Sequence, residues 1–379
     1  MGALSGFKVI ELSGIGPGPL CGMLLSDLGA EVIRIDRSHT AIPQADAKFD
    51  ITGRNKKSIC LNLKDDSSKE IFFKLIKDAD ALIEGYRPGV TEKLGIGPND
   101  CFKINPKLVY GRITGWGQSG PLSQSAGHDI NYIALAGALF SIGQKDSKPS
   151  IPINLIGDYG GGTMFLAFGV CAALLSVSKT GKGQVVDAAM IDGVSSLLTI
   201  LYSLSQSGIW KVKDKEKNLL DGGSPFYQVY ETQDNKYISI GSLEPQFYQL
   251  LLEKLNLNEE SKNHQMDMTN WPNLTIKLEK LFKTKTQNEW NELLENTDVC
   301  YAPVLSIDEA RDHHHMKERE NFISINDVVQ PSPAPRFSET KSDQPKKAPK
   351  VGENSEEILS QLGYTNDEIN SFKERKIIN

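Results

Sequence analysis

Short runs of β-branched residues alternate with helical segments along the first half of the chain. These runs predict strands at residues 7–12, 31–36, 81–84 and 108–114. Between them, apolar residues recur at helical spacing over residues 19–28 and 67–77. Parallel strands need a long crossover connection, which is usually a helix. The alternation therefore predicts an α/β domain with a parallel sheet covered by helices.

Two further helices are predicted beyond the last of these strands. One covers residues 130–140, and the other covers residues 163–178 within the longest uncharged run, which lies between Asp158 and Lys179. The apolar part of that run is shorter than the roughly 20 residues that a bilayer requires. We therefore expect residues 163–178 to form a buried helix and expect no membrane partner.

The pattern changes after about residue 204. A chain of 379 residues exceeds the usual size of one core, so two domains are expected. Residues 205–224 are polar and carry charges of both signs, as a linker does. Residues 225–310 combine a hairpin, turning at Asp234 and Asn235, with amphipathic helices, and they predict a smaller α+β domain. Residues 1–204 then form the large domain.

Composition restricts the partners and the compartment. Hydrophobic residues make up 39% and charged residues 24% of the chain, and the formal net charge is −6. This charge gives no general reason to bind nucleic acid, so an anionic ligand would need a local basic site. The five cysteines are scattered and never spaced CxxC, which indicates a reducing, intracellular compartment. Cytoplasm, mitochondrion and peroxisome remain open, and no secretory signal is expected.

The first turn imitates a dinucleotide-binding motif without completing it. Gly14 and Gly16 would need a third glycine at position 19, where the chain has Pro19. Pro17 and Pro19 also remove backbone N–H donors that would face a pyrophosphate. The large domain is therefore predicted to be Rossmann-like but not to bind a nicotinamide cofactor.

Ionisable residues lie among small residues in three segments, at 127–132, 157–162 and 241–246. His128 near a helix N-terminus would stay a neutral base, and Asp158 has little side-chain bulk around it. Glu244 could fix an imidazole tautomer, and two bases facing one carbon could move a proton between its faces. The structural alternatives are helix N-caps for Asp129 and Asp158, a tight glycine turn, and a core histidine.

Nine stretches, in order along nearly the whole chain, make the sequence resemble the α-methylacyl-CoA racemases of the family III CoA-transferase superfamily. They are ELSGIGPGP from Glu11, GAEVIRIDR from Gly29, LIEGYRPGV from Leu82, TGWGQSGP from Thr114, AGHDINY from Ala126, GDYGGG from Gly157, GKGQVVDAAM from Gly181, LDGGSPFY from Leu220 and GSLEPQFY from Gly241. The resemblance implies exchange of the 2R and 2S forms of a 2-methylacyl-CoA through an enolate. It implies His128 and Asp158 as the opposing bases and Glu244 as the support of the histidine.

The resemblance also implies a CoA site, an assembly and a rival activity. The CoA would be held by Arg37, Leu61, Asn62, Leu63, Lys64, Tyr86, Arg87, Gly127, Asp129, Ile130, Asn131 and Tyr132. CoA would be part of the substrate, with no separate cofactor. Residues 311–379 would return to complete the large domain, and two subunits would interlock as a homodimer. The rival is a family III CoA-transferase that uses Asp158 as nucleophile. A non-catalytic acyl-CoA binding protein is a third alternative.

Three consecutive histidines, His313, His314 and His315, lie in a charged stretch. Adjacent residues of a helix do not share one face, so the run is interpreted as a solvated helix. No metal site is predicted here.

Overall fold

The computed structural model describes residues 1–37, 47–257, 259–260, 262–375 and 377–378. The chain divides into two compact units. The first comprises Met1–Ala136, Pro152–Leu197 and Glu320–Asn379, and the second comprises Gly137–Ile151 and Leu198–Arg319.

A six-stranded parallel sheet forms the centre of the first unit, which confirms the predicted α/β class. Its strands are β1 (Lys8–Leu12), β2 (Glu31–Asp36), β3 (Lys57–Cys60), β4 (Ala81–Glu84), β5 (Val109–Thr114) and β6 (Gln184–Ala189). Their order is β3-β2-β1-β4-β5-β6, and all neighbours pair parallel. All six carboxyl ends therefore lie at one edge. The strand order reverses between β1 and β4, which is where sheets of this type bind ligands.

Both faces of this sheet are apolar. Ile10 of β1 aligns with Ile33 of β2 and Leu82 of β4, and these side chains belong to one core cluster. Their neighbours Val9 and Val32 belong to a second cluster. Successive strand residues point to opposite faces, so the two clusters lie on the two sides of the sheet. Helices bury each side, as apolar side chains on both faces of the sheet require.

The helices of both units follow in chain order. They are α1 (Pro17–Asp27), α2 (Asp66–Lys77), α3 (Val90–Leu94), α4 (Pro98–Ile104), α5 (Asp129–Leu135), α6 (Ala138–Ser141), α7 (Met164–Thr180), α8 (Met190–Leu197), α9 (Thr199–Gln206), α10 (Pro245–Lys254), α11 (Trp271–Phe282), α12 (Gln287–Leu294), α13 (Ile307–Asp312), α14 (His314–Glu318), α15 (Ser355–Gln361) and α16 (Asn366–Glu374). A π-helical stretch, Leu155–Thr163, precedes α7.

Two of the predicted helices differ in the structure. The helix predicted at 130–140 is broken, because Gly137 adopts a left-handed conformation with φ 92° between α5 and α6. The helix predicted at 163–178 is present as α7, but it is not fully buried. Its Leu166 and Val170 pack against the sheet, whereas an opposite stripe of Met164, Phe168 and Leu175 is 55%, 75% and 61% exposed. Within one chain, the predicted burial therefore holds for one face of the helix and not for the other.

The apolar segment Leu155–Thr180 also meets the length and composition needed to cross a membrane, with a mean hydropathy of 1.8. Core helices of soluble proteins meet the same criterion, so this is weak evidence for a span. The segment contains Asp158 and three consecutive glycines.

The second unit is built on a three-stranded antiparallel sheet. Its strands are β7 (Tyr227–Glu231), β8 (Tyr237–Gly241) and β9 (Tyr301–Val304). The β7–β8 hairpin turns where the sequence predicts it, with Asn235 in the left-handed region at φ 57°. Aromatic residues dominate the core, where Phe282 packs between Tyr230 and Trp290 at centroid distances of 4.9 and 5.0 Å.

The unit boundaries differ from those expected from the sequence. Residues 205–224 belong to the second unit, and Asn218 orders this loop through hydrogen bonds to Lys211 and Asp221. Residues 137–151, expected in the large domain, also belong to the second unit. Within that unit, the backbone N–H of Lys145 donates to Glu216 at 3.0 Å.

The chain returns to the first unit from Glu320 onward. The hairpin of β10 (Phe322–Ile325) and β11 (Val328–Pro331) comes first, and α15 and α16 end the described segment. Arg54 donates to the side chain of Gln330 and to the carbonyl of Pro331, at 3.0 and 2.6 Å. The Ser58 N–H donates to Asn354. These contacts anchor the returning segment; residues 376 and 379 of the predicted return lie outside the described residues.

Candidate active site

A cavity of about 460 Å³ opens at the carboxyl edge of the parallel sheet. Loops that follow β1, β4 and β5 line it, together with the start of α5 and the π-helical stretch. It therefore occupies the crevice where the strand order reverses. Both predicted bases, His128 and Asp158, line this cavity.

The loop between β1 and α1 brings a helix N-terminus to the cavity. Gly16 has φ 72°, and a β-carbon there would lie 3.4 Å from Asp158 Oδ2. The hydroxyl of Thr163 donates to the Pro17 carbonyl at 2.8 Å, which ties the π-helical stretch to α1. Pro17 and Pro19 have no N–H, so Gly18 supplies the backbone donor between them.

Asp158 lies in the middle of the π-helical stretch, so its predicted alternative as an N-cap is wrong. Its backbone N–H donates to Asp129 Oδ2 at 2.7 Å, and Asn154 Nδ2 donates to its Oδ2 at 3.2 Å. Asp129 is the first residue of α5, with His128 at the cap position, so Asp129 is not the N-cap either. π-Helical turns are rare and often occur at functional sites.

The glycines after Asp158 have a packing role. A β-carbon at Gly161 would lie 2.8 Å from the backbone nitrogen of Val194 in α8, and one at Gly193 would lie 1.9 Å from the Gly161 carbonyl oxygen. Neither contact is possible for a larger residue without movement of the backbone. The glycines are therefore needed for close packing of the backbone, as the structural alternative proposes, and this need is independent of any catalytic role of Asp158.

Burial raises the pKa of the Asp158 carboxyl above its usual value. The hydrogen bond from Asn154 opposes this shift, the charge of Asp129 adds to it, and His128 opposes it. A carboxyl whose pKa moves toward neutrality exchanges protons more readily near neutral pH. Perturbed groups in a crevice are typical of catalytic sites.

His128 is exposed to the cavity, so the alternative of a core histidine is wrong. Its backbone N–H donates to Asn131 Oδ1 at 3.0 Å, which fixes the start of α5. The preceding turn is held by Tyr132, whose hydroxyl donates to the Gly127 carbonyl and whose ring packs edge-on against Trp116 at 4.8 Å. Burial, with the charge of Asp158, raises the pKa of Tyr132 to about 12, so this hydroxyl keeps its proton.

Four of the predicted CoA-binding residues line the cavity: Tyr86, Arg87, Gly127 and Tyr132. The buried carboxylate of Glu84 positions Tyr86 by accepting its backbone N–H at 2.6 Å, and it also accepts from Arg112 Nε at 2.8 Å. Burial raises the pKa of Glu84 against these hydrogen bonds. The Arg37 guanidinium lies 4.8 Å from the Tyr86 ring centroid, at the same edge of the sheet.

The remaining predicted CoA residues do not line the cavity. The side chains of Leu61 and Leu63 are 1% and 8% exposed and belong to the core, so these two residues could contact CoA only through their backbone, and their role stays a prediction. Asn62 and Lys64 are exposed, and they follow β3 at the carboxyl edge. The other three are Asp129, which is buried, and Ile130 and Asn131, which are exposed on α5.

Glu244 belongs to the second unit. It precedes Pro245, the first residue of α10, and occupies the cap position of that helix. The carbonyl of the preceding Leu243 accepts from Gln265, which orders this turn. Its predicted role in supporting the histidine stays a prediction.

A buried ion pair beneath the cavity was not predicted. Lys56 Nζ donates to Glu11 Oε2 at 2.6 Å and to the Pro19 carbonyl at 2.9 Å, so the pair connects β1 to the first turn of α1. Burial raises the pKa of Glu11, against the attraction of Lys56. The signal in the sequence was Glu11 itself, a charged residue between the apolar Ile10 and Leu12 of a predicted strand. Trp116, another residue of the lining, was not singled out either.

Comparison with known proteins agrees with this architecture. The sequence model of CoA-transferase family III matches residues 4–355. An α-methylacyl-CoA racemase of Homo sapiens is 41% identical over 380 residues, covering 99% of this chain and 97% of that protein. The racemase of Mus musculus is 40% identical over 377 residues, with the same two shares.

Solved structures show the same fold. The crystal structure of a CAIB/BAIF family protein from Brucella suis superposes with a TM-score of 0.81 at 25% identity, covering 95% of this chain and 99% of that chain. Three findings thus point to the same family: the order of the motifs along the chain, the parallel sheet and the match to the family's sequence model. The chain belongs to CoA-transferase family III.

Proposed function

We propose that the protein interconverts the 2R and 2S forms of a 2-methyl-branched acyl-CoA. Two racemases are 40–41% identical over 99% of the chain. The observation that carries the proposal is that an imidazole, His128, and a carboxylate, Asp158, line one cavity. A base on each side of the α-carbon is what inversion at that carbon requires.

The reaction is a 1,1-proton transfer. The thioester carbonyl acidifies the α-proton, and one of the two groups removes it. The other group, in its acid form, then protonates the opposite face of the planar enolate. The shifted pKa of Asp158 supports this role, because a carboxyl of ordinary acidity would seldom carry a proton to return.

The N-terminus of α1 stabilises the negative charge of the enolate. Gly16 to Pro19 line the cavity, and the N-terminus of a helix carries a partial positive charge. The Gly18 N–H is the donor that we assign to the developing negative charge on the thioester oxygen. Preformed backbone donors of this kind stabilise such charge without reorganising during the reaction.

The CoA part of the substrate extends from the cavity along the carboxyl edge of the sheet. Arg87 lines the cavity, Arg37 follows β2, and Lys64 follows β3. Arginine pairs with phosphate through two parallel hydrogen bonds, and lysine acts as a point charge. These three cations are our candidates for the CoA phosphates, and the substrate itself brings the CoA, so no separate cofactor is proposed.

The test starts from a single epimer of a 2-methylacyl-CoA. The proposal predicts that either epimer yields a mixture of both. The rival CoA-transferase, with Asp158 as nucleophile, needs an acceptor carboxylate and produces a new CoA ester instead. A non-catalytic acyl-CoA binding protein would bind the thioester but would neither change its configuration nor form a new CoA ester. Chiral chromatography with and without an added carboxylate separates the three.

The acid limb of the pH–rate profile tests the electrostatics of Asp158. In the direction in which Asp158 accepts the proton, the rate falls as pH drops through its pKa. Asp129→Asn removes a charge that raises this pKa, so the limb moves to lower pH. Asn154→Ala removes a hydrogen bond that lowers the pKa, so the limb moves to higher pH. If the acid limb moved in the same direction in both variants, or did not move in either, Asp158 would not be the group that titrates in this limb.

We propose further that the protein acts as an interlocked homodimer, with Glu244 of the partner subunit supporting His128. The support in the structure is the exposed apolar stripe of α7, in which Phe168 is 75% exposed. Monomeric soluble proteins seldom expose contiguous apolar surface of this kind.

Phe168→Lys should convert the dimer to monomer, because a buried lysine at an apolar interface loses its hydration without a partner. Sedimentation velocity measures the change. Lys77→Glu on α2 alters an exposed charge away from the stripe and serves as the control. Equal masses for wild type and Phe168→Lys would count against this interface.

A further inference from the structure

Two imidazoles and one carboxylate converge in the second unit, outside the site described above. His313 Nε2 lies 2.9 Å and His314 Nε2 lies 3.7 Å from the same oxygen of Glu295. One ligand atom from each of the three residues lies within 4.8 Å of the other two. The two imidazole rings stack at a centroid distance of 4.5 Å.

A break between two short helices allows this arrangement. Adjacent histidines of one continuous helix, as expected from the sequence, would point apart. The helix is not continuous, because α13 ends at Asp312 and α14 begins at His314. His313 is extended between them, with φ −62° and ψ 132°. Both imidazoles can therefore face the same carboxylate.

The carboxylate itself is held in place by its backbone. Glu295 is the C-cap residue directly after α12, and its N–H donates to the Asn291 carbonyl at 2.9 Å. On the other side, the His313 carbonyl accepts the first hydrogen bond of α14, from the Lys317 N–H at 3.0 Å. Two ordered helix ends thus present the three groups to each other.

We propose that Glu295, His313 and His314 form a binding site for a divalent transition-metal ion of the zinc type. Zinc binds imidazole nitrogen and carboxylate oxygen at about 2.0–2.2 Å, so ligand atoms of a tetrahedral site lie about 3.4 Å apart. The distances of 2.9 and 3.7 Å bracket this spacing. Two nitrogen ligands of three favour zinc, nickel or copper over magnesium and calcium, which take oxygen.

The surroundings leave room for the ion and for a water as fourth ligand. All three residues line a second cavity, of about 390 Å³, together with His315. The side chains of His313 and Glu295 are 20% and 22% exposed, so they are partly fixed by packing, whereas the side chain of His314 is 64% exposed. Metal bound here would staple the end of α12 to the α13–α14 junction.

The first experiment measures Zn²⁺ binding to the full-length protein by isothermal titration calorimetry. We expect one ion per chain at this site, and a rise in Tm on adding Zn²⁺ because the ion binds only the folded arrangement. His313→Ala and Glu295→Gln should each weaken binding about tenfold or more, since each removes one of three ligands. His315→Ala is the matched control, because it removes the third histidine of the run but not a ligand.

A second experiment identifies the ligand atoms. Co²⁺ replaces Zn²⁺ as a coloured probe, and a site of two imidazoles and a carboxylate gives visible bands without the intense near-ultraviolet band of a thiolate. The exposed Cys300 is the competing ligand within the described residues. A thiolate band would overturn the proposal, as would Zn²⁺ binding that is absent in the wild type or unchanged in His313→Ala. Circular dichroism checks the fold of each variant, and His314→Gln replaces any that fails to fold.

Discussion

Asp158→Asn should lower the rate of epimerisation about 10²–10⁴-fold, the contribution of a well-placed general acid or base. Asparagine has nearly the same shape, so the Asp158 backbone N–H keeps its bond to Asp129 and the side chain keeps an acceptor for Asn154. What is lost is the group that gains and releases a proton. We therefore expect kcat to fall and KM for the acyl-CoA to change little. Asp192→Asn on α8, an exposed carboxylate outside the cavity lining, is the control.

Substitution of the other proposed base, His128→Ala, distinguishes a racemase from a CoA-transferase. A CoA-transferase that uses Asp158 as nucleophile does not need a second proton carrier, whereas inversion does. Loss of epimerisation in both variants supports two opposing bases. Full epimerisation by Asp158→Asn would show that this carboxyl is not one of them.

Arg54→Met should destabilise the protein by about 3–5 kcal/mol, because it leaves a buried charge without its partner. The side chains of Arg54 and Asp27 are 2% and 0% exposed, and Arg54 donates to both carboxylate oxygens of Asp27. The same guanidinium binds Gln330 and the Pro331 carbonyl. Methionine keeps the apolar stem but makes none of these bonds. The returning segment therefore loses an anchor at the same time.

Urea-induced unfolding measures this loss, with Lys57→Met as the control. Lys57 pairs with Glu31 and Glu357, but its side chain is 30% exposed, and such pairs contribute about 1 kcal/mol or less. The lysine is three residues from Arg54, so position in the chain is nearly matched. Equal destabilisation by the two substitutions would mean that burial of the Arg54–Asp27 pair does not matter.

Much of the sheet could be predicted because its strands carry their own signal. The runs at 31–36 and 81–84 coincide with β2 and β4, since each has apolar residues that are buried on both faces of the sheet, Val32, Ile33 and Ile35 in β2 and residues 81–83 in β4. β3 has four residues and begins with Lys57, and the first residues of β6 are exposed. Neither strand has an apolar run long enough to stand out. The break at Gly137 was missed because glycine within an apolar helical pattern does not by itself fix a left-handed conformation.

The family resemblance from nine motifs is confirmed, and with it the fold. The motifs also placed two residues, His128 and Asp158, that the structure brings to one cavity. The contact that joins their segments, from the Asp158 N–H to Asp129, depends on a π-helical turn that no spacing rule predicts. Leu61 and Leu63 were assigned to the CoA site by the family resemblance, and the structure buries the side chains of both in the core.

The central claim is that a proton leaves and returns at the α-carbon through groups of the protein. A single-epimer 2-methylacyl-CoA is incubated with the enzyme in heavy water, and the α-position of both epimers is followed by mass spectrometry. Deuterium should enter the α-position of the inverted product as fast as inversion proceeds. Inverted product that stays free of deuterium, or substrate that never inverts, would contradict it.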